Sequence, residues 1–234
     1  MKRLILIRHG KVSSEYAGRF IGTTDAPLGE EGREDVKRLS NLLQIPESTY
    51  CLSSPLLRAT ETADILFGKA ESTLELKAEL EVETKIKPKE KYDLLSDIQE
   101  INFGNWENKT YQEIDSKDPG NLNSLYKGDT GFVFPAGEGI APFFDRLRNF
   151  LKQINENKFE NIIAITHAGV IRGLICLLMN LEFKDFFSFQ IDTAALTVLD
   201  IYEPIDEPTT SSNDNFRGSL KGLNLFTNVF GDKR

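Results

Sequence analysis

Short runs of aliphatic residues recur along the chain, and each run is followed by a segment with helical periodicity. The clearest runs cover residues 3–8, 49–54 and 161–166. Continuous apolar runs of this length are typical of strands that are buried on both faces of a parallel sheet. A fourth run, residues 194–201, alternates between apolar and polar positions, which predicts a strand with one wetter face.

Apolar residues spaced three and four positions apart predict helices between these strands. The predicted helices cover four ranges: 29–44, 54–67, 140–154 and 169–181. In the second of them, Ser54 is placed for the N-cap and Pro55 for the first helical position. The third carries one apolar stripe, whereas the fourth is apolar nearly all round and predicts a buried helix. Alternating strands and helices predict an α/β fold, a three-layer sandwich with a mostly parallel central sheet.

Residues 78–139 interrupt this alternation. They combine runs of charge, an aromatic cluster and a stretch rich in Gly and Pro. We interpret them as an insertion over the sheet and the active site, within a single domain of residues 1–234, because this length does not require a second core. Towards the end of the chain, the polar segment 203–215 predicts a mobile loop, and an apolar piece follows at residues 220–230.

Charge and composition exclude several classes of partner. The net charge of −8 argues against nucleic acid or an anionic membrane as the main partner. The sequence shows no signal-peptide pattern at its start and no run near the roughly 18 apolar residues that a membrane span needs. Its two cysteines, Cys51 and Cys176, have no spacing typical of a disulfide framework or a metal site. These features predict a cytoplasmic protein.

Basic and imidazole side chains follow the three apolar strands where each strand ends. Arg8 and His9 end the first, Arg58 lies in the helix after the second, and Thr166 and His167 end the third. Ligands bind beyond the carboxyl ends of the strands in open α/β sheets, so we expect two imidazoles and two guanidiniums to converge there. Forked guanidinium donors suit phosphate oxygens, and the N-termini of the following helices add backbone N–H groups.

An imidazole in this setting can attack phosphorus. Neighbouring guanidinium cations lower the histidine pKa, which leaves the attacking nitrogen unprotonated, and they also neutralise the equatorial oxygens during phosphoryl transfer. The leaving alkoxide then needs a proton from a carboxylic acid. A single histidine at a strand end is more often structural, but the chain has only two histidines and both lie at such ends. Their joint position favours a catalytic site.

Four motifs carry a resemblance to a known family: LIRHG at residues 6–10, GTTDAPLGEEG at 22–32, SSPLLRATETA at 53–63 and THAGVIR at 166–172. With these motifs the chain resembles the histidine phosphatase superfamily, which has the phosphoglycerate mutase-like fold. The resemblance extends over roughly residues 3–200. It implies that His9 is phosphorylated during the reaction and that Arg8, Arg58 and His167 hold the phosphoryl group.

The resemblance also assigns binding roles to backbone groups. Phosphate contacts would come from Ile21 and Gly22 in the loop after the first motif, and from Ala168 after the second histidine. No metal and no cofactor are implied. A metal hydrolase built on the two histidines also lacks any His-x-x-x-His or His-x-x-Glu-His spacing.

The insertion carries the motif that separates the subfamilies. Residues 98–110 read IQEINFGNWENKT, which is similar to the pattern of the family's phosphatases and implies that Glu100 is the proton donor. Asp97 and Glu107 are rival acids by sequence. The Tyr-Gly-x-Leu-x-Gly-Leu-Asn pattern of the family's mutases is absent from the chain. Residues 134–147 resemble the Phe-Pro-x-Gly-Glu-Ser element of α-ribazole phosphatase-like members.

Four positions depart from the family pattern. Val12 and Glu15 stand where a Thr and an Asn are usual, Asn108 replaces a Gly, and Gly139 replaces a Ser. The usual Asn contacts phosphate, so a carboxylate at Glu15 is compatible with an anionic substrate only if it points away. These changes leave the catalytic residues in place and bear on the substrate.

Taken together, the motifs imply a phosphomonoesterase for a small-molecule phosphate ester, with α-ribazole 5′-phosphate as the first candidate. Two alternatives remain open at this point. One is phosphoryl transfer between hydroxyls, as in the phosphoglycerate mutases, and the other is a catalytically silent phosphate-binding module. The oligomeric state is also open, and a homodimer is one option.

Overall fold

Six strands form a central sheet within the part of the chain that the structure describes. The computed structural model describes residues 1–68, 91–202 and 216–226. The strands are β1 (Lys2–Arg8), β2 (Thr49–Ser53), β3 (Asp93–Leu94), β4 (Asn161–Thr166), β5 (Leu196–Tyr202) and β6 (Arg217–Leu225). Their order across the sheet is β3-β2-β4-β1-β5-β6. The pairs among β1 to β4 are parallel, whereas β5 runs antiparallel to both β1 and β6.

The helices of the described residues lie on the two faces of the sheet and in the insertion. They are α1 (Glu30–Leu42), α2 (Leu57–Phe67), α3 (Tyr111–Lys117), α4 (Pro119–Tyr126), α5 (Ile140–Glu156) and α6 (Ala168–Met179). None of them combines the length and the apolar composition that a membrane crossing requires.

Two hydrophobic clusters form the core, one on each face of the sheet. On one face, α1 and α2 pack against side chains that include Ile5 and Ile163, and on the other face α5 and α6 pack against Leu4 and Ile162. Successive residues of a strand point to opposite faces, so a strand covered on both sides must be apolar throughout. This explains the continuous aliphatic runs. The predicted three-layer sandwich with a mostly parallel sheet is confirmed.

The helix predictions hold best where one face is uniformly apolar. The stripe predicted in residues 140–154 is buried along its whole length, and α6 is buried nearly all round. The buried members of the α5 stripe are Ile140, Phe143, Phe144, Leu147, Phe150, Leu151 and Ile154. Burial of each of these side chains stabilises the fold by on the order of 1.5–3 kcal/mol, so the stripe holds α5 against the sheet.

Two local predictions are wrong. Helix α2 begins at Leu57 with Leu56 as its N-cap, rather than with Ser54 and Pro55. Ser54 instead extends the sheet, because its backbone N–H donates to the Ile165 carbonyl at 2.9 Å. Strand β5 has no wetter face either, since every residue from Leu196 to Ile201 is buried.

The two polar positions of β5 are buried as well, and the charged one is paired. Thr197 is 1% exposed and Asp200 is 2% exposed. The Asp200 carboxylate accepts from Arg3 Nε at 2.9 Å. Strand β6 pairs with β5 along the edge that faces away from β1. The alternating pattern therefore wrongly predicted a solvent-exposed face, because a charged residue can be buried when an ion pair neutralises it.

The described part of the insertion, residues 91–139, joins the core on the α5 and α6 side. Its buried contributions are Ile98, Ile101, Trp106, Ile114, Leu122, Leu125, Phe132 and Phe134. The assignment of the whole chain to one domain stays a prediction. The predicted loop at 203–215, residues 78–90 of the insertion and residues 227–230 of the apolar piece lie outside the described residues.

Candidate active site

The carboxyl ends of β1 and β4 bring the two histidines together. These strands pair in parallel with Arg8 opposite Thr166. The next backbone N–H along the chain, that of His9, donates to the Thr166 carbonyl at 3.0 Å. His167 follows Thr166 directly and is the N-cap of α6. The centroids of the two imidazole rings are consequently 5.1 Å apart.

The main chain holds the His9 ring in one orientation. Nδ1 of His9 lies 2.7 Å from the carbonyl oxygen of Gly10. A carbonyl accepts and cannot donate, so Nδ1 carries the proton of the neutral ring and Nε2 keeps the lone pair. Glycine at position 10 also lets the chain pass close to α1, because a Cβ there would lie 2.8 Å from the Gly32 carbonyl oxygen.

The surroundings of His9 keep the ring neutral. Burial lowers the His9 pKa well below its ordinary value of 6.5, and the nearby cations Arg8 and Arg58 lower this pKa further. The hydrogen bond to Gly10 opposes the shift but does not reverse it. An imidazole with a free lone pair near neutral pH is the form that a nucleophile needs.

Arg58 is buried beside His9 and held by main-chain oxygens. Its Nη1 donates to the Thr24 carbonyl at 2.9 Å, and its Nη2 donates to the carbonyls of Gly22 at 2.7 Å and Ile21 at 3.2 Å. Its Nε points at Nε2 of His9 from 3.3 Å. The loop at residues 21–24 therefore determines where the guanidinium lies relative to the nucleophilic nitrogen.

That loop is itself held by the insertion. The Glu107 carboxylate accepts from the backbone N–H groups of Gly22 at 3.1 Å, Thr23 at 2.9 Å and Thr24 at 3.1 Å. It also accepts from the backbone N–H of Phe103 at 3.0 Å and from the Thr24 hydroxyl. With both oxygens occupied by these donors, Glu107 is a positioning residue rather than a free acid.

Arg8 lines a cavity of about 780 Å³. The same cavity is lined by His9, Arg58 and Glu100. We call it the main cavity. The Nη1 of Arg8 donates to the Ile191 carbonyl, which fixes the plane of the guanidinium. Within the described part of the chain, its Nε has no hydrogen-bond partner although it is buried. A buried donor without a partner has a cost in free energy that a bound anion would relieve.

His167 lies deeper than His9. It is fully buried, it does not line the main cavity, and its Nε2 lies 2.8 Å from the Ser54 hydroxyl oxygen. Its Nδ1 finds no partner within the described residues. Burial lowers the pKa of His167 well below 6.5, and the neighbouring Arg58, His9 and Arg8 lower it further. The ring is therefore neutral and lies directly behind the nucleophile.

Glu100 occupies the opposite wall of the main cavity. Its side chain is nearly buried, at 8% exposure of the residue. One carboxyl oxygen accepts from the Gly169 N–H at 3.1 Å, and the other accepts from the Ile101 N–H at 3.1 Å. The first of these N–H groups belongs to the first turn of α6, which also follows His167. A Cβ on Gly169 would lie 2.3 Å from the Glu100 carboxyl, so glycine leaves the room that this contact needs.

Of the three acids weighed by sequence, Glu100 lines the main cavity, whereas Asp97 and Glu107 do not. Asp97 accepts instead from the Gln153 side chain at 2.8 Å. Glu138, from the element like that of the α-ribazole phosphatases, pairs with Arg146 at 2.8 Å and also lies outside the cavity.

The backbone groups expected to contact phosphate are placed differently from one another. Ile21 lines the main cavity, but Gly22 has its N–H committed to Glu107 and its carbonyl to Arg58. Ala168 lies beside Glu100 on a neighbouring cavity. Val12 lines the main cavity, whereas Glu15 does not. The carboxylate that replaces the usual Asn is therefore outside the anion site.

One residue of the site was missed at the sequence level. Arg172 lines the main cavity, and its Nε donates to the Phe189 carbonyl at 2.7 Å. The signal was present, because Arg172 is the only charged residue of α6. A lone cation in an otherwise apolar helix requires a polar surrounding, and it points to a site.

An α/β sandwich that presents a neutral imidazole and two guanidiniums beyond the ends of parallel strands, with a carboxyl group from the insertion on the same cavity, defines a phosphoryl-transfer enzyme. No group of three or more His, Cys, Asp or Glu side chains placed to hold a metal ion is found among residues 1–68, 91–202 and 216–226. The chain belongs to the histidine phosphatase superfamily (branch 1), whose family model matches residues 4–207.

Individual relatives carry the names of phosphatases and of a mutase. The chain is 27% identical over 201 residues to the adenosylcobalamin/α-ribazole phosphatase of Escherichia coli, which covers 85% of this chain and 90% of that protein. It is 26% identical over 204 residues to phosphoserine phosphatase 1 of Hydrogenobacter thermophilus, with 87% and 88% covered. A 2,3-bisphosphoglycerate-dependent phosphoglycerate mutase of Porphyromonas gingivalis is 27% identical over 215 residues, with 83% and 84% covered.

Solved structures show the same fold. The α-ribazole phosphatase of Shigella flexneri superposes with a TM-score of 0.73 at 23% identity, covering 99% of this chain and all of that one (100%). A mycobacterial glucosyl-3-phosphoglycerate phosphatase superposes with a TM-score of 0.71 at 21% identity, covering 96% and 99%. The predicted family and fold are confirmed, and the chain is a phosphatase enzyme of this superfamily.

Proposed function

We propose that this protein hydrolyses a small-molecule phosphate monoester through a phosphohistidine on His9. One observation carries the proposal. The proton on Nδ1 is held by the Gly10 carbonyl, which leaves the lone pair on Nε2 beside Arg58 and on the wall of the main cavity. A neutral, oriented imidazole next to cations is suited to attack a phosphate dianion.

In the first half of the proposed reaction, Nε2 of His9 attacks phosphorus. A nitrogen–phosphorus bond forms as the bond to the leaving oxygen breaks, and protonated Glu100 gives its proton to that oxygen. Each Glu100 carboxyl oxygen accepts one backbone N–H and keeps a second lone pair, on which the proton can reside. Arg8 and Arg58 neutralise the charge of the phosphoryl oxygens.

The Arg58 contact with His9 has a consequence for this step. In the substrate-free geometry Nε of Arg58 donates towards the His9 lone pair at 3.3 Å. The lone pair must be released before attack, so the arriving phosphate has to accept this N–H in place of the imidazole. A charge-assisted hydrogen bond to phosphate is stronger than one to a neutral nitrogen, which makes the exchange favourable.

In the second half, Glu100 is a carboxylate and takes a proton from water. The water oxygen bonds to phosphorus, the nitrogen–phosphorus bond breaks, and inorganic phosphate leaves with His9 restored to its neutral form. The protons balance, because the one given to the leaving alcohol is replaced by the one removed from water.

For the substrate, α-ribazole 5′-phosphate is our first candidate. The Phe-Pro-x-Gly-Glu element at residues 134–138 supports it, as do relatives named α-ribazole phosphatases. Phosphoserine is the second candidate because another relative is named a phosphoserine phosphatase. Mutase-type transfer is less well supported, since the insertion lacks the mutase pattern.

The intermediate can be tested directly. Turnover of a ³²P-labelled ester is quenched, and the protein is digested and mapped. We expect an acid-labile, base-stable label on His9. Label on Ser53, Ser54 or any other residue, or binding of the ester without label or phosphate release, would overturn the mechanism.

Assaying a panel of α-ribazole 5′-phosphate, phosphoserine and 3-phosphoglycerate then separates hydrolysis from transfer. Free phosphate should accumulate from each accepted ester. Efficient formation of 2-phosphoglycerate without phosphate release would establish a mutase instead.

A further inference from the structure

A second cavity of about 260 Å³ adjoins the main cavity, and we call it the side cavity. Phe20, Glu100, Phe103 and Arg172 line both cavities. The side cavity extends from this shared wall between α4, the start of α6 and the 3₁₀ helix at Phe183–Ser188. Of the residues expected to contact phosphate, only Ala168 lines it, and Arg8, His9 and Arg58 do not.

The position of Glu100 connects the side cavity to the chemistry. Glu100 protonates the leaving oxygen in the proposed reaction, so that oxygen must lie within hydrogen-bond distance of its carboxyl group. The part of the substrate carried by the leaving oxygen therefore begins at the shared wall. A leaving group attached there has the side cavity within its reach.

The walls of the side cavity are aromatic. Phe103 packs edge-to-face against Phe20, with ring centroids 5.3 Å apart, and against Phe134 at 5.1 Å. Tyr126 and Phe187, whose ring centroids are 4.8 Å apart, form another part of the lining. Such a lining offers ring faces and edges for stacking and few hydrogen-bond acceptors or donors.

The volume fits a ring system. An apolar cavity of about 150 Å³ in another protein binds benzene, so a cavity of this size accommodates a ring of one or two cycles. A small hydrophilic leaving group would leave the aromatic walls in contact with water or empty space.

Arg172 supplies the polar edge of this wall. Its Nε is committed to the Phe189 carbonyl at 2.7 Å, and its guanidinium carbon lies 5.8 Å from the centroid of the Phe186 ring. The guanidinium is thus fixed in plane and stands where the two cavities meet. It can donate to a polar atom between the phosphate and the ring of a substrate.

We propose that the side cavity is a leaving-group subsite, and that this phosphatase prefers phosphate monoesters whose alcohol carries a flat, apolar ring. The proposal rests on the proposed function, because it takes Glu100 as the residue that meets the leaving oxygen. It names a substrate class that the phosphate-binding residues alone do not determine.

The test compares ethyl phosphate with 2-phenylethyl phosphate. Both esters release primary alkoxides, so Glu100 faces a similar chemical task and the difference between them reports the ring. We expect kcat/KM to be roughly 10- to 100-fold higher for 2-phenylethyl phosphate. O-phosphoserine is measured beside them, because a carboxylate bound by Arg172 would favour that ester instead.

Two tyrosines provide a matched pair of variants. Tyr126 lines the side cavity, whereas Tyr111, its ring neighbour at 6.3 Å, does not. Their exposures are nearly equal, 45% for Tyr126 and 46% for Tyr111, so both alanine variants should fold. We expect Tyr126→Ala to reduce the advantage of 2-phenylethyl phosphate over ethyl phosphate by roughly 2- to 10-fold. Tyr111→Ala should change neither ester.

The outcomes separate the two proposals. Phosphate release without a ring advantage, an equal response of the two tyrosine variants, or a preference for O-phosphoserine would overturn the leaving-group subsite and leave the phosphatase mechanism standing. Absence of phosphate release from all three esters and from p-nitrophenyl phosphate would overturn the proposed function and the subsite with it.

Discussion

The residues carried by the sheet and those carried by the insertion are placed in the site by different means. His9 and His167 are placed by the backbone ladder of two parallel strands, in which the His9 N–H bonds to Thr166. Glu100 and Glu107 are placed by their own side chains, which accept N–H groups from α6 and from the loop at 21–24.

This difference separates the residues that act on the phosphoryl group from the residues that meet the leaving group, which varies from one substrate to another. In the proposed reaction, Arg8, His9 and Arg58 contact the phosphoryl group, which every ester shares. The insertion residues include Glu100 and Phe103, which line the wall where the leaving group begins. Variation at the insertion residues that line this wall should therefore alter selectivity, whereas variation at the strand ends should remove activity towards every ester.

The largest effect should come from His9→Asn. Removal of the nucleophile should lower kcat by about 10⁴- to 10⁶-fold for alkyl and aryl phosphates alike. Asparagine keeps a polar side chain of similar reach, so a thermal melt should show a folded protein. Retention of activity towards p-nitrophenyl phosphate would mean that another group attacks phosphorus.

Glu100→Gln should act on the leaving group. A positioned acid contributes about 10²- to 10⁴-fold, so that loss is expected for an alkyl phosphate. The burst of p-nitrophenolate should fall much less, because this leaving group departs without protonation. The burst is the quantity to compare, since Glu100 also activates water in the later step.

Asp97→Asn is the control for Glu100, because Asp97 bonds to Gln153 outside the main cavity. It should leave both rates near those of the unmodified protein. A selective loss for alkyl phosphates in Asp97→Asn, with none in Glu100→Gln, would show that Asp97 is the proton donor and that Glu100 is not.

Glu107→Gln should slow all esters equally. The amide cannot accept at both positions where Glu107 now receives backbone N–H groups, so the loop that holds Arg58 should shift. Displacement by about 1 Å costs up to roughly 10²-fold in rate. Asp129→Asn is the matched control, as it removes another insertion carboxylate, which accepts the Gly131 N–H at 2.9 Å and lines neither cavity. A loss confined to alkyl esters would instead make Glu107 an acid.

The two histidines should also make stability depend on pH. In the unfolded chain both bind a proton near pH 6.5, whereas the folded protein holds both pKa values well below this. The unfolded state binds more protons as the pH falls below 6.5, so the free energy of unfolding should decrease there by up to about 2.7 kcal/mol per pH unit. Denaturant unfolding between pH 7 and 5 measures this slope.

A variant with His9→Asn and His167→Asn tests the origin of that slope. The chain has no other histidine, so the remaining dependence in this window should come from carboxylates alone. An unchanged slope would show that the imidazoles are not the groups that take up protons on unfolding.

The smallest effect should follow chelation. Arg8 and Arg58 supply the positive charge that Mg²⁺ supplies in many phosphoryl-transfer enzymes, so we expect activity to persist in EDTA. Loss of activity that a divalent cation restores would replace the guanidinium-based site with a metal-based one.

Much of the part of the site that lies at the strand ends could be predicted from the sequence. Continuous aliphatic runs identify strands covered on both faces, and the polar residues after them must then lie at one edge of the parallel sheet. The insertion resisted such reasoning. Its family resemblance implied Glu100 as the acid with Asp97 and Glu107 as rivals, but no periodicity distinguishes among three carboxylates on irregular backbone.

The sequence by itself determined the α/β architecture, the pairing of His9 with His167 and the anionic character of the ligand, because these follow from local periodicity and from the geometry of parallel strands. Tertiary structure alone decided that Glu100 lines the cavity while Glu107 holds the loop beside Arg58. It also decided that Arg172 stands between two cavities. The physical reason is that these positions depend on which distant N–H group each side chain meets, and a contact between distant segments leaves no period in the chain.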